Sequence, residues 1–181
     1  MTKKSRTRSD LDFAVHPVVL YDGVCGLCNR LVRFILRRDP AGLFQFASLQ
    51  SALAADILAR HGADAGDLDT VYVAVNRGGE AEELLARSEA AIFVLMHLGA
   101  AELRSARPSP RPGPTPFTTI PAPGFGPGYS FWCWVGSMLR FVPRKVREWG
   151  YGVVARNRYR IFGRYDSCPV ASAETRGRFL G

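Results

Sequence analysis

Long apolar runs are missing from this sequence and cysteine is scarce, and each shortage excludes a class of protein. The most apolar later stretch, Tyr129 to Val142, contains Arg140 and falls short of the roughly 20 residues that span a bilayer, so no transmembrane segment is expected. Near the N-terminus Lys3, Lys4, Arg6 and Arg8 are basic, but Leu11 to Leu20 is broken by Asp12, His16 and Pro17. The apolar centre of a secretion signal is therefore lacking, and a cytoplasmic location is expected. Four cysteines in 181 residues are too few for a disulfide scaffold, and only Cys25 and Cys28 are close; Cys133 and Cys168 stand apart. Acidic residues are sparse toward the C-terminus, where eight Lys or Arg between Arg140 and Arg164 face only Glu148. Much of the net charge of +8 is thus a local patch rather than a chain-wide affinity for nucleic acid.

What is present suits one soluble globular domain with appendages, since 47% of residues are apolar and 22% charged. Residues 1–16 are polar, basic and aperiodic, which predicts a mobile lead-in. Val18 to Tyr21 is a short apolar run closed by Asp22-Gly23, the pattern of a buried strand ending in a turn. From Cys28 on, Leu31, Phe34 and Ile35 form one stripe and Arg30, Arg33 and Arg37 another, predicting an amphipathic helix stopped at Asp39-Pro40. Phe44 to Ala47 alternates as a strand, and Leu49, Leu53 and Ile57 recur at helical spacing until His61-Gly62. Val71 to Val75 reads as a strand, Asn76 to Gly79 as a hairpin-type turn, and Ala81 to Leu85 as a weaker returning strand. Ser88 is the expected N-cap of a helix carrying Ile92, Leu95 and Met96 and ended by Gly99.

Between Arg104 and Gly128 lie eight of the twelve prolines, which excludes sustained helix or sheet and marks an insert over residues 104–128. Phe131 to Val142 and Arg144 to Phe162 then read as helices separated by Pro143, the second weakened by Gly150 and Gly152. Its apolar members Val146, Trp149, Val153 and Val154 keep helical spacing. The organisation expected is a core over residues 17–100 and, after the insert, a helical extension over 129–181 packing on that core.

Two cysteines three apart at the start of a helix carry a definite chemistry. Unpaired backbone N–H groups and the helix dipole stabilise a thiolate on Cys25, and Cys28, one turn deeper, is in reach to resolve a mixed disulfide. Zinc ribbons use the same spacing but add a second ligand pair, and Cys133, Cys168, His16, His61 and His97 offer none at short spacing. Asp22 admits two readings: an acid that takes the proton of the resolving thiol, or a residue that makes the turn and bonds its own backbone.

The pattern Asp22-Gly23-Val24-Cys25-Gly26-Leu27-Cys28 resembles the signature of the DCC-type thiol–disulfide oxidoreductases. Arg87-Ser88-Glu89-Ala90-Ala91 is similar to that family's middle segment, and Ala155 to Arg164 followed by Cys168 to its C-terminal one. The resemblance implies an α/β fold, a thioredoxin-like core with a central mixed sheet, extended by C-terminal helices. It also implies disulfide exchange with a protein or small-molecule disulfide substrate, through catalytic Cys25, Cys28 and Asp22, with no cofactor and no metal. Leu27 stands where ordinary thioredoxins often carry proline, and no proline precedes the strand at Val71, so substrate handling departs from theirs.

The alternative from another class is a non-catalytic binding module whose cysteines hold zinc and whose basic C-terminal stretch docks a partner. That stretch, with Trp149, Tyr151 and Tyr159 interleaved, suits an acidic partner or anionic lipid, or simply a solvated helix face. Cys168 is placed either as a third thiol folding back to the pair or as packing. Phe131, Trp132 and Trp134 read as core or as a partner surface.

Overall fold

The computed structural model describes residues 16–64, 66–79, 81–106, 131–165 and 175–180. The basic lead-in before residue 16, the Pro-rich insert from residue 107 onward and Cys168 lie outside the described residues.

Strand β1 (Val18–Tyr21) is buried on both faces, as its unbroken apolar run requires. A crossover through helix α1 (Gly26–Arg38) returns the chain to β2 (Gln45–Ser48), parallel to β1, with Val19 opposite Phe46. Helix α2 (Ala52–Arg60), capped by the Ser51 hydroxyl, leads to β3 (Tyr72–Val75) on the other edge of β1. β3 runs antiparallel both to β1 and to β4 (Glu83–Ala86), completing a mixed sheet in the order β2-β1-β3-β4. Helices α3 (Arg87–Ala106), α4 (Phe131–Phe141) and α5 (Arg144–Phe162) follow. Among the described residues this gives five α-helices on a four-stranded mixed sheet, the architecture of a thioredoxin-like core.

The two-residue period of the strands divides the core. Val19, Tyr21 and Val73 pack with Val32 and Ile35 of α1 and Phe93, Val94 and Leu98 of α3 on one face. Val18, Leu20 and Ala74 pack with Ala54, Ile57 and Leu58 of α2 on the other. The α1 stop is as expected from Asp39-Pro40, and the buried Asp39 carboxylate accepts the Leu43 and Phe44 amides, each at 2.9 Å. A short 3-10 turn (Arg176–Arg178) brings Arg178 onto the same carboxylate and stacks Phe179 on Phe46, ring centroids 5.3 Å apart.

Two sequence expectations are corrected. Gly99 does not end its helix; α3 continues to Ala106, and Gly99 is where α4 crosses it. A Cβ there would meet Cys133 Sγ at 2.5 Å and its amide nitrogen at 2.6 Å, so the glycine serves helix packing. Ser88 is not the cap, because the helix already includes Arg87, whose φ of 55° turns the chain out of β4. The Ser88 hydroxyl instead donates to Glu148 on α5. On α5 the apolar Val146, Trp149, Val153 and Val154, at helical spacing, are exposed, and Ala155 and Arg158 are buried.

Candidate active site

The loop between β1 and α1 places Asp22, Cys25 and Cys28 within seven consecutive residues, all buried. Cys25 is the N-cap of α1, with φ −79° and ψ 124°, and its sulfur accepts the Cys28 backbone N–H at 3.5 Å. Asn29 ties the turn, its amide donating to the Gly23 carbonyl at 2.9 Å and the Cys25 carbonyl at 3.0 Å. The two cysteines are free thiols.

Their titrations are driven apart. The Cys28 thiol, donating to the Cys25 sulfur, brings the Cys25 pKa down from an ordinary 9.0 to about 6, assisted by the Cys28 and Leu27 amides and the Arg158 charge, with burial opposing. The same bond pushes the Cys28 pKa up, and burial and the charge of the Cys25 thiolate act in the same direction. One sulfur is therefore prepared as a thiolate while its neighbour keeps the proton.

Asp22 is held by four donors. Its Oδ1 accepts the Val24 amide at 3.1 Å and Gln50 Nε2 at 2.9 Å. Its Oδ2 accepts Tyr159 Oη at 2.5 Å and Arg158 Nη2 at 3.2 Å. Arg158, 2% exposed, also donates to Tyr159 Oη at 2.7 Å and to the Leu68 carbonyl, and lies 3.3 Å from Asp69. Helix α5 thus delivers a guanidinium and a phenol to a carboxylate more than a hundred residues earlier in the chain.

The end of α5 closes the site. Gly26 N–H donates to the Gly163 carbonyl at 3.1 Å, Tyr165 N–H donates to the Val24 carbonyl at 2.8 Å, and Cys25 forms an antiparallel bridge with Arg164. Gly26 permits this approach, since a Cβ there would lie 2.0 Å from the Phe162 carbonyl oxygen. Cys25 is left with no exposed surface.

The sequence profile of the DCC1-like thiol-disulfide oxidoreductase family matches residues 19–118. The chain belongs to that family. It is 34% identical over 164 residues to the uncharacterized protein YuxK of Bacillus subtilis, covering 90% of this chain and 93% of that one. It is 30% identical over 154 residues to a chloroplastic DCC family protein of Arabidopsis thaliana, covering 85% of this chain and 69% of the relative. No solved structure matches.

In this DCC-family chain the structure brings together Asp22, Cys25 and Cys28, and adds Arg158 and Tyr159. Both lie in the segment whose similarity to the family was noted, yet Arg158 reads from sequence as one of a row of surface cations with Arg156 and Arg160. Those two are exposed, and Arg158 alone turns inward. The available signal was spacing: Tyr151, Ala155 and Arg158 recur at four and three along one face of α5, with Tyr159 beside them.

Of the residues weighed as further zinc ligands, the four that are described are engaged elsewhere. His16 Nδ1–H donates to the Leu43 carbonyl at 3.0 Å, His61 Nε2 lies 3.2 Å from Glu82, and His97 Nδ1–H donates to the Phe93 carbonyl at 2.8 Å. Cys133 Sγ–H donates to the Met96 carbonyl at 3.3 Å within the α3–α4 contact. Among the described residues no cluster of three or more His, Cys, Asp or Glu gathers that could hold a metal ion. Nor, among them, is any helix long and apolar enough to cross a membrane. Trp132 packs edge-on against Phe34, centroids 4.7 Å apart, whereas Phe131 and Trp134 are exposed.

Proposed function

We propose that the protein exchanges disulfides in a reducing, cytoplasm-like compartment, with Cys25 as nucleophile and Cys28 as resolving thiol. The observation that carries this is the asymmetry of the pair: Cys25 caps the helix, accepts the Cys28 N–H and thiol, and titrates near 6, while Cys28 is held protonated. The Cys25 thiolate attacks one sulfur of a substrate disulfide, whose S–S bond breaks, and the departing thiolate takes a proton. Once that bond has formed, Cys25 no longer accepts the Cys28 proton; Cys28 ionises and attacks Cys25 sulfur. The second substrate thiol leaves, and the protein pair is oxidised to a disulfide as the substrate is reduced to two thiols.

Asp22 supports this reading as an anchor. Four donors, the Arg158 guanidinium among them, hold the carboxylate in place, and through it Arg158 keeps its positive charge near the Cys25 sulfur. Relay of the Cys28 proton is the other role for Asp22, and requires one of those donors to leave. Because Cys25 has no exposed surface and residues 163–165 pair with its turn, exchange includes displacement of that segment.

The test is turnover of a small aromatic disulfide by wild type and two variants, with the products weighed by mass spectrometry. Cys25→Ser abolishes turnover, and Cys28→Ser accumulates a mixed disulfide on Cys25. Full turnover by Cys25→Ser, or mixed disulfide on Cys28 in place of Cys25, overturns the assignment.

A further inference from the structure

Beside Cys28 lies a cavity of about 220 Å³ lined by residues of α1, α3 and α5, with none of Gly163–Tyr165 in its wall. Its walls are mostly apolar, with Leu27, Leu31, Phe34, Val94 and Val154 among them, and Cys28 forms part of the wall. The volume exceeds the roughly 150 Å³ that accommodates a benzene molecule in a dry apolar cavity. Ala91, Arg87 and Val154 at its edge are exposed, so the space opens to solvent without unfolding.

One polar group in the wall lacks a full set of partners. Tyr151 Oη accepts the Val71 amide at 2.9 Å, and no acceptor for its own O–H is found among the described residues. A buried donor without an acceptor is destabilising, and a ligand oxygen would relieve it. The charges are already balanced: Arg158 lies against Asp22 and Asp69, and Arg87 lies 3.6 Å from Asp67. A ligand carboxylate would find no uncompensated cation, whereas a neutral carbonyl oxygen would find the Tyr151 hydroxyl as a donor.

We infer that this cavity binds a small, neutral, largely apolar molecule carrying one carbonyl-type acceptor, seated against the Cys28 side of the pair. Its ring or chain lies on Leu31, Phe34 and Val94, and its oxygen takes the Tyr151 O–H. Occupancy covers Leu27 and Cys28 and so bears directly on the resolving thiol. The inference stands apart from disulfide exchange, because binding is read without turnover.

Three probes of nearly one shape decide it: acetophenone, alpha-methylstyrene, in which CH₂ replaces the oxygen, and benzoate, which adds a charge. Each is titrated into the reduced full-length protein while amide NMR shifts are followed. Acetophenone binds about fivefold more tightly than alpha-methylstyrene, the usual worth of one hydrogen bond, and more tightly than benzoate. The shifts map to Leu27, Leu31 and Val94, and Ala91→Trp, which fills the cavity from its exposed edge, abolishes them while keeping the wild-type spectrum elsewhere. Absence of binding by all three overturns the inference, as does equal binding of acetophenone and alpha-methylstyrene. Preference for benzoate, or binding that survives Ala91→Trp in the folded variant, overturns it as well.

Discussion

Each ionisable group at the pair owes its behaviour to a named neighbour. With the Cys25 pKa brought down to about 6 by the Cys28 thiol, alkylation of reduced protein should follow a titration centred near pH 6 rather than near 9. Rapid-quench iodoacetamide labelling with peptide mapping measures it, and a midpoint at the ordinary thiol value would contradict the geometry. Arg158→Met removes a positive charge that favours the Cys25 thiolate and leaves Asp22 uncompensated, so the midpoint should move upward. Asp22→Asn distinguishes its two roles. An anchor predicts a turnover rate lowered at every pH, and loss of only one limb of the pH profile would make the carboxylate the acceptor of the Cys28 proton.

At the scale of elements, two close contacts depend on the absence of a side chain. Gly26→Ala drives a methyl into the Phe162 carbonyl, and α5 can yield only by lifting residues 163–165 from Cys25. Cys25 alkylation should then accelerate at fixed pH while stability falls by roughly 1–3 kcal/mol, readable from paired labelling and urea-unfolding experiments. Gly99→Ala pushes α4 from α3 at Cys133 and should cost a similar ~1–3 kcal/mol, with no change in Cys25 reactivity because the contact lies outside the site. Tyr151 and Arg158 hold α5 to the core, and residues 163–165, which follow its last turn, lie over the cysteine turn.

For the whole molecule the shifted thiols make stability depend on pH. Between about 6 and 9 the folded Cys25 is a thiolate while the unfolded one is still protonated, so the unfolded state binds more protons and stability of reduced protein rises with pH. Above 9 the sign reverses, because Cys28 stays protonated only when folded. Cys25→Ser should flatten the rise in urea unfolding of the reduced protein; a rise that persists would place its source elsewhere. The C-terminal residues hold the opposite edge of the sheet, and Arg178→Ala should cost roughly 2 kcal/mol by leaving the buried Asp39 carboxylate with backbone donors only.

The sequence by itself determined β1, the turn, the helix after it and the place of the cysteines, because strand and helix periods and an N-terminal cap are properties of neighbouring residues. It likewise determined the α/β order, through four apolar strands and the helical stripes between them. Arg158 was not legible in that way. A charge is buried only where its partners are, and here they are Asp22, 136 residues away, and the Leu68 carbonyl, 90 residues away. Trp149 and Val154 of α5 are exposed for the same reason, since hydrophobicity names a buried face only when no stronger polar contact orients the helix. Gly99 looked like a stop because a glycine's local preference is visible and the helix crossing that requires it is not. Which face of α5 turns inward, and that its end covers Cys25, only the tertiary structure decided, because both follow from contacts between residues far apart in the chain.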